Sequence, residues 1–169
     1  MAKASRDKGA RFERAICQDL RSWLGPDWSV ERVPAYRQGK GQLGMGGDIA
    51  CTSQVMKMPF CFELKHYAKF SADNILKPGC KMLQGFWWQA RCQADAIQKA
   101  PLLLVKRDRA ATFALMPLAV LRQINWQWAV EARVQVRVGN KVERVAVVRW
   151  DEMRKIDPSC LFGVHNAWC

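Results

Sequence analysis

The chain has 169 residues, half of them hydrophobic, which suits one domain with a buried core. Its formal net charge of +12 favours a polyanionic partner. No signal peptide is visible, no apolar run is long enough to cross a bilayer and no basic amphipathic helix stands out, so we expect no membrane partner and a cytoplasmic protein with seven reduced cysteines.

The first predicted element is a helix over residues 5–24, which Ser5 can cap and which Gly25-Pro26 ends. At 100° per residue, Glu13 falls inside the apolar arc of this helix. Burial of a carboxylate in that position destabilises the fold unless the carboxylate forms an ion pair or binds a ligand. The apolar stripe itself is formed by Phe12, Ile16, Leu20 and Trp23.

Three short strands follow, over residues 28–33, 48–52 and 59–65. The first two are separated by a loop over 34–47, which contains five glycines and is expected to be mobile. In the third strand, alternation places Cys61, Glu63 and Lys65 on one face and Phe60, Phe62 and Leu64 on the other.

The second half begins with an irregular segment over 66–80 and a helix over 81–99, whose inward residues are predicted to be Phe86, Ala90, Ala94 and Ile97. A pair of strands over 101–106 and 111–116 comes next, followed by a short helix over 117–124. The order of elements predicts a mixed α/β sheet flanked by helices.

The last segment predicts a β-hairpin, with Gly139-Asn140 as its turn, residues 133–138 as one strand and 142–150 as the other. A helical turn over 151–156 is expected after it. We divide the chain into a core over 1–124 and a C-terminal hairpin extension over 125–169, packed on the same domain. Three roles are open to the extension: a dimer element, a DNA clamp or a cover for the core.

Asp48, Glu63 and Lys65 are the residues that indicate chemistry. If the strands carrying them pair as a hairpin, the two carboxylates lie close together, with Lys65 on the same face as Glu63. Mg²⁺ prefers such oxygen ligands, and a metal ion held there can activate water against a phosphodiester while lysine orients or deprotonates that water. The alternative interpretation is a solvated strand end with an ordinary Glu–Lys pair.

An ordered set of motifs resembles the PD-(D/E)XK nuclease superfamily, and most closely the archaeal-type Holliday-junction resolvases. The resemblance covers residues 5–122 and is also compatible with a phage or bacterial member. The segments that carry it are Lys8 to Arg14, Glu31 to Ala35, Gly47 to Ala50, Phe62 to Lys65, Gln89-Ala90 and the strand pair between Leu102 and Met116.

The resemblance implies a restriction-endonuclease-like fold with an extra C-terminal hairpin. It implies that Asp48 and Glu63 bind Mg²⁺, which Mn²⁺ can replace, and that Lys65 is the catalytic lysine. Glu13 would point at the same metal centre, and Gln89 would lie near the active site, with an ordinary surface amide as the alternative. Two departures are visible: Gly47 replaces the usual Pro, and Ala35-Tyr36 stands where the resolvases often carry a Ser.

Basic side chains near these motifs are the candidates for DNA binding, with solvated surface charge as the alternative. His66 is a candidate for a contact to phosphate or to the attacking water, with a surface or hydrogen-bonding histidine as the favoured interpretation. The Trp87-Trp88 pair is a candidate for stacking on an unpaired base, with core or dimer packing as the favoured interpretation. The candidate cations are Arg6, Lys8, Arg11, Arg32, Arg37, Lys40, Lys69 and Lys81.

The function predicted from these observations is Mg²⁺-dependent cleavage of DNA by a homodimer that selects branched substrates, as a Holliday-junction resolvase does in recombination and repair. The alternatives are a general repair, packaging or restriction-type nuclease, and a DNA-binding module of the same fold that does not cut.

Overall fold

A computed structural model describes residues 2–34, 46–68, 72–124 and 129–163. The helices have the bounds Ala2–Leu24 (α1), Ala72–Leu76 (α2), Lys81–Ala96 (α3), Leu118–Gln123 (α4) and Trp150–Met153 (α5), with a 3₁₀ turn at Pro158–Gly163. The strands are Ser29–Arg32 (β1), Ile49–Thr52 (β2), Phe60–His66 (β3), Ala100–Lys106 (β4), Thr112–Pro117 (β5), Ala132–Val138 (β6) and Lys141–Arg149 (β7).

These strands form one seven-stranded sheet in the order β1-β2-β3-β4-β5-β7-β6. Neighbouring strands are antiparallel except β3 and β4, which are parallel and joined through α3. A parallel pair needs such a crossover, because a tight turn cannot return the chain in the same direction. The predicted mixed α/β sheet with flanking helices is confirmed, and it is consistent with a restriction-endonuclease-like fold.

Two apolar clusters cover the two faces of the sheet. One joins α1 to alternate residues of β3 and β4, including Phe62 and Leu104. The other joins α3 to the intervening positions, including Leu103 and Val105. The predicted stripe of α1 is confirmed, since Phe12, Ile16 and Leu20 are buried in the first cluster.

Several element boundaries differ from the prediction. The first helix begins at Ala2, so Ser5 lies inside it and does not cap it, because no Gly or Pro interrupts residues 2–8. A short helix, α2, occupies part of the segment expected to be irregular. The helix α3 ends at Ala96, and Gln98 follows in the left-handed conformation with a φ of 54°.

The buried face of α3 also differs from the prediction. Leu83, Trp87, Ala90 and Ala94 are the buried residues, while Phe86 is only partly buried and Ile97 lies beyond the last helical residue. The large ring of Trp87 enters the core beside β4 and β5, which rotates the helix away from the predicted face. Phe86 is thereby left on the flank that faces Lys65.

The predicted hairpin is present, and it extends the sheet, because β7 pairs with β5 over Val145–Arg149. The division of the chain at residue 124 remains a prediction. No helix among the described residues combines the length and the apolar character needed to cross a membrane.

Candidate active site

Asp48 lies where β2 begins to pair with β3, and the pairing is antiparallel, with Ile49 opposite Phe62. The backbone N–H of Asp48 donates to the Phe62 carbonyl at 2.7 Å, and the Leu64 N–H donates to Asp48 Oδ2 at 2.6 Å. The carboxylate is therefore held against the middle of β3, beside Glu63. The closeness of Asp48 and Glu63 was predicted to depend on pairing of their strands, and the two strands do pair.

The two glycines before Asp48 allow this close approach of the strands. Gly47 has a φ of +81°, and a Cβ on it would lie 2.3 Å from the Phe62 carbonyl oxygen. A Cβ on Gly46 would lie 2.9 Å from Ile97 Cδ1. It would also lie 3.0 Å from the backbone carbonyl oxygen of Gln93 in α3, so backbone atoms oppose a larger residue at both positions.

Glu63 is completely buried at the centre of β3. Burial, followed by the charge of Asp48, raises the pKa of this carboxyl to about 7, although the side chains of Lys65 and Gln93 act in the opposite direction. Lys65 Nζ lies 2.6 Å from Glu63 Oε1 as an ion pair, but neither Glu63 oxygen accepts a hydrogen bond of good geometry from the described part of the chain. Such unfilled acceptors next to a second carboxylate fit the oxygen-rich coordination of a divalent cation.

Lys65 connects Glu63 to α3. Its ammonium donates to Gln89 Oε1 at 2.9 Å and lies 5.7 Å from the centre of the Phe86 ring. The structure therefore brings Asp48, Glu63, Lys65 and Gln89 together on the α3 side of the sheet. The roles assigned to these residues remain predictions.

Glu13 has a different partner. Arg32 Nε donates to Glu13 Oε2 at 2.6 Å, so the charge inside the apolar arc of α1 is paired with an arginine from β1. Within the described ranges no group of three His, Cys, Asp or Glu side chains is arranged to hold a metal ion. Binding of a metal by Glu13 therefore stays a prediction, and the described pair of carboxylates consists of Asp48 and Glu63.

The predicted DNA-binding cations are distributed over several elements. Lys8 pairs with Asp108, and Arg11 and Lys81 are exposed on α1 and α3. Arg6 lies in the first turns of α1. Arg37, Lys40 and Lys69 lie outside the described residues. Arg32 pairs with Glu13, as described above.

The aromatic candidates divide between core and surface. Trp87 is wholly buried and donates from Nε1 to Glu143 Oε2 at 2.9 Å, which confirms the core-packing interpretation for this residue. Trp88 is 51% exposed. His66 packs edge-on against Phe12 and its Nε2 lies 2.8 Å from Asp108 Oδ1.

Sequence reasoning missed Phe86 and Gln93 as neighbours of the site. Gln93 lies four residues after Gln89, and residues at that spacing share one side of a helix, so this signal was available. Phe86 was assigned to the core because its apolar side chain fits the helical period, and only the rotation of α3 shows that it contacts Lys65.

Comparison with known proteins identifies the family. The model of the family described as "Phage putative PDDEXK endonuclease" matches residues 4–163. The chain is 32% identical to Protein D14 of Escherichia phage T5 over 170 residues, which cover 99% of this chain and 93% of that protein. No solved structure matches the chain. The expected superfamily is thus shown, while similarity to archaeal-type resolvases is not among these findings, and the chain belongs to the phage PDDEXK endonuclease family.

Proposed function

We propose that this protein is a Mg²⁺-dependent endonuclease that hydrolyses DNA phosphodiesters at Asp48, Glu63 and Lys65. The observation that carries the proposal is the state of Glu63. A carboxylate is wholly buried next to a second carboxylate, with its oxygens lacking hydrogen bonds of good geometry from the described residues and a lysine ammonium beside it. Such a group destabilises the fold when one ammonium is its only charged partner, and a bound divalent cation would offset that cost.

Asp48 and Glu63 are the residues that would hold the metal ion, with Glu13 as a proposed third carboxylate. Mg²⁺ suits a site with few protein carboxylates because it retains several of its water ligands, and Mn²⁺ should replace it. When bound, the ion supplies a water of lowered pKa and neutralises charge on the phosphoryl oxygens.

Lys65 would act at the attacking water. Its ammonium is held between the Glu63 carboxylate and the Gln89 amide oxygen, so Nζ has a defined position on the face that carries both carboxylates. From there it can orient the water or take part in its deprotonation. Gln89 is the positioning residue in this scheme, because it contacts Lys65 and fixes its rotamer.

DNA is the proposed substrate because the family consists of endonucleases and the chain is strongly basic. The phosphate contacts are proposed for the cations named above from α1, β1, α3 and the segments around 35–45 and 69–71. We further propose a homodimer that selects branched DNA, on the resemblance to junction resolvases. Paired nicks in a two-fold symmetric junction need two active sites, which a two-fold dimer supplies.

The test of the central proposal is nicking of supercoiled plasmid with Mg²⁺ or Mn²⁺. Glu63→Ala should reduce the nicking rate by more than about 100-fold. Substitution of a residue that only hydrogen-bonds to a metal ligand already lowers metal affinity or activity by about 10- to 100-fold. EDTA should abolish nicking by the wild type. Glu131→Ala, which alters an exposed carboxylate before β6, is the matched control and should cut like the wild type.

Two results would contradict the proposal. Equal nicking by wild type and Glu63→Ala would remove Glu63 from the site. Failure of the folded wild type to cut any DNA, together with retained binding, would identify a DNA-binding module of the same fold.

A further inference from the structure

A second cluster of cations lies at the C-terminal ends of β3 and β4, on the α1 side of the sheet. A cleft of about 370 Å³ opens there. His66 and Lys106 are opposite each other in the β3–β4 register, and His66 directly follows Lys65. The cleft therefore lies next to the Lys65 end of the candidate active site but on the opposite face of the sheet. Its functional lining is formed by Lys8, Arg11, Phe12, His66, Lys106 and Asp108.

Asp108 occupies this cleft as an internal anion. Lys8 Nζ lies 2.5 Å from its Oδ2, and His66 Nε2 lies 2.8 Å from its Oδ1. The hydrogen bond from Lys8, with a smaller contribution from His66, lowers the pKa of the Asp108 carboxyl, which is therefore charged at neutral pH. The carboxylate thus shows where a negatively charged oxygen group fits.

The ion pair between Lys8 and Asp108 is easily exchanged. Lys8 is 47% exposed and Asp108 is 40% exposed, so solvent screens both charges and the pair contributes little to stability. A DNA phosphate carries a full negative charge, and its binding releases condensed counterions, which a carboxylate of the same chain does not do. A DNA phosphate would therefore compete with Asp108 for Lys8 most effectively at low salt.

Two further cations in the cleft lack a carboxylate partner within the described ranges. Arg11 is exposed on α1, and Lys106 Nζ lies 5.8 Å from the centre of the Phe12 ring. Their charge leaves the cleft positive even with Asp108 in place. An added anion would neutralise part of this excess positive charge.

The turn that carries Asp108 adds charge at the rim. Arg107 and Arg109 flank the aspartate and are both exposed, and Arg109 has the left-handed φ of 58°. Single non-glycine residues adopt this conformation in tight turns, and this turn is closed by the Ala110 N–H, which donates to the Arg107 carbonyl. The turn therefore combines a replaceable anion with two solvent-facing cations.

We propose that this cleft binds a backbone phosphate of the DNA, which replaces the Asp108 carboxylate beside Lys8 and His66 and is held by Arg11 and Lys106. The proposal rests on the DNA substrate proposed above and adds a phosphate subsite beyond the reacting centre. A duplex that crosses the C-terminal ends of β3 and β4 would pass Lys65 on one face of the sheet and the cleft on the other. Its role is to position the substrate.

The experiment measures binding of a short labelled duplex in EDTA at a series of KCl concentrations. The double variant Arg11→Gln/Lys106→Gln should bind more weakly and reduce the slope of log affinity against log salt by about 1, because one phosphate contact is lost. Asp108→Asn should bind more tightly, because the competing carboxylate is gone. Lys57→Gln, in the turn at the other end of β3, is the matched control and should keep the wild-type slope.

An unchanged slope in the double variant, or weaker binding by Asp108→Asn, would overturn the proposal. Arg11→Gln alone, an exposed helix position, covers the case in which loss of Lys106 impairs folding, and thermal denaturation monitors both variants. Exchange of chloride for inorganic phosphate at equal ionic strength should weaken DNA binding by the wild type more than by the double variant, because free phosphate competes with the DNA backbone for the cleft. Equal weakening of the two proteins would show that the cleft does not bind a phosphate group and would overturn the proposal.

Because binding is measured without metal, the result is independent of cleavage. A protein that never cuts but shows the expected slopes would overturn the nuclease proposal and leave the subsite in place.

Discussion

Ionisation of the buried Glu63 carboxyl in the candidate site lowers the stability of the folded protein. Its folded-state pKa of about 7 exceeds its ordinary value of 4.5, so between these values the folded protein holds the proton more tightly than the unfolded chain does. The contribution of this group to the free energy of unfolding is therefore fully present below about pH 4.5 and is lost as the pH rises through 7. A bound cation would reverse the trend, because it stabilises the ionised carboxylate.

The substitution Glu63→Gln tests this linkage. In EDTA, the variant should match the wild type near pH 5 and exceed its free energy of unfolding by on the order of 2–3 kcal/mol near pH 8, where the wild type must charge a buried group. Urea denaturation at both pH values measures the difference. Added Mg²⁺ should stabilise the wild type near pH 8 and leave the variant unchanged. A difference in stability that is the same at both pH values would contradict the prediction.

Glu13 and Arg32 offer a second test at the scale of single residues. If Glu13 is a metal ligand, Glu13→Gln should raise the Mg²⁺ concentration needed for half-maximal nicking by about 10-fold or more. Arg32→Gln, which breaks the same ion pair from the other side, should leave that concentration close to the wild-type value. Equal effects of the two substitutions would show that Glu13 acts through its pairing with Arg32.

At the scale of secondary-structure elements, α3 and the β6–β7 hairpin share an apolar cluster and, beside it, a partly buried hydrogen bond. Trp87 of α3 donates to Glu143 of β7, and Arg91 Nε lies 3.7 Å from the other carboxylate oxygen. The same helix carries Gln89, which contacts Lys65. The C-terminal hairpin thus supports the helix that completes the candidate site, besides extending the sheet.

The hydrogen bond between Trp87 and Glu143 can be tested by substitution of Glu143. Glu143→Ala leaves the buried Trp87 N–H without its acceptor and should lower the free energy of unfolding by about 1–3 kcal/mol. Glu143→Gln keeps an acceptor oxygen and should cost less than about 1 kcal/mol. Chemical denaturation measures both, with Glu131→Ala as the exposed control. Equal losses for the Ala and Gln variants would show that the hydrogen bond to Trp87 is not what holds the hairpin.

At the scale of the whole molecule, the net charge of +12 explains attraction to DNA of any sequence but does not select a DNA shape. Selection of branched DNA requires two active sites at a defined separation, which depends on the assembly of two chains. Selection of branched DNA and formation of a dimer should therefore be tested together for this protein.

We predict that a four-way junction is cut faster than a flap or a linear duplex of the same arms, and that it receives paired, symmetric nicks. Side-by-side cleavage of the three substrates checks this, and sedimentation of the free protein should give twice the 19.3 kDa of the chain. Equal rates on all three substrates would identify a general repair, packaging or restriction-type nuclease. A monomeric protein with single nicks would rule out the dimer.

The sequence by itself indicated the superfamily and most of the elements, whereas α2 and several element boundaries came from the structure. Alternation in β3 predicted that Glu63 and Lys65 share a face, and the periodicity of α1 predicted its buried stripe, because both depend only on local backbone geometry. The resemblance to the superfamily implied that Gln89 lies near the active site, and the contact of its amide oxygen with Lys65 came from the structure.

Only the tertiary structure decided which groups meet across elements. Glu13 needed a partner by its position in α1, but the choice between a metal and Arg32 depends on where β1 lies. The requirement for glycine at position 47 comes from the Phe62 carbonyl, fifteen residues away in the chain. The cleft around Asp108 joins α1 to the β4–β5 turn across 100 residues of sequence. Such contacts are set by packing of the sheet and its helices, which no local pattern encodes.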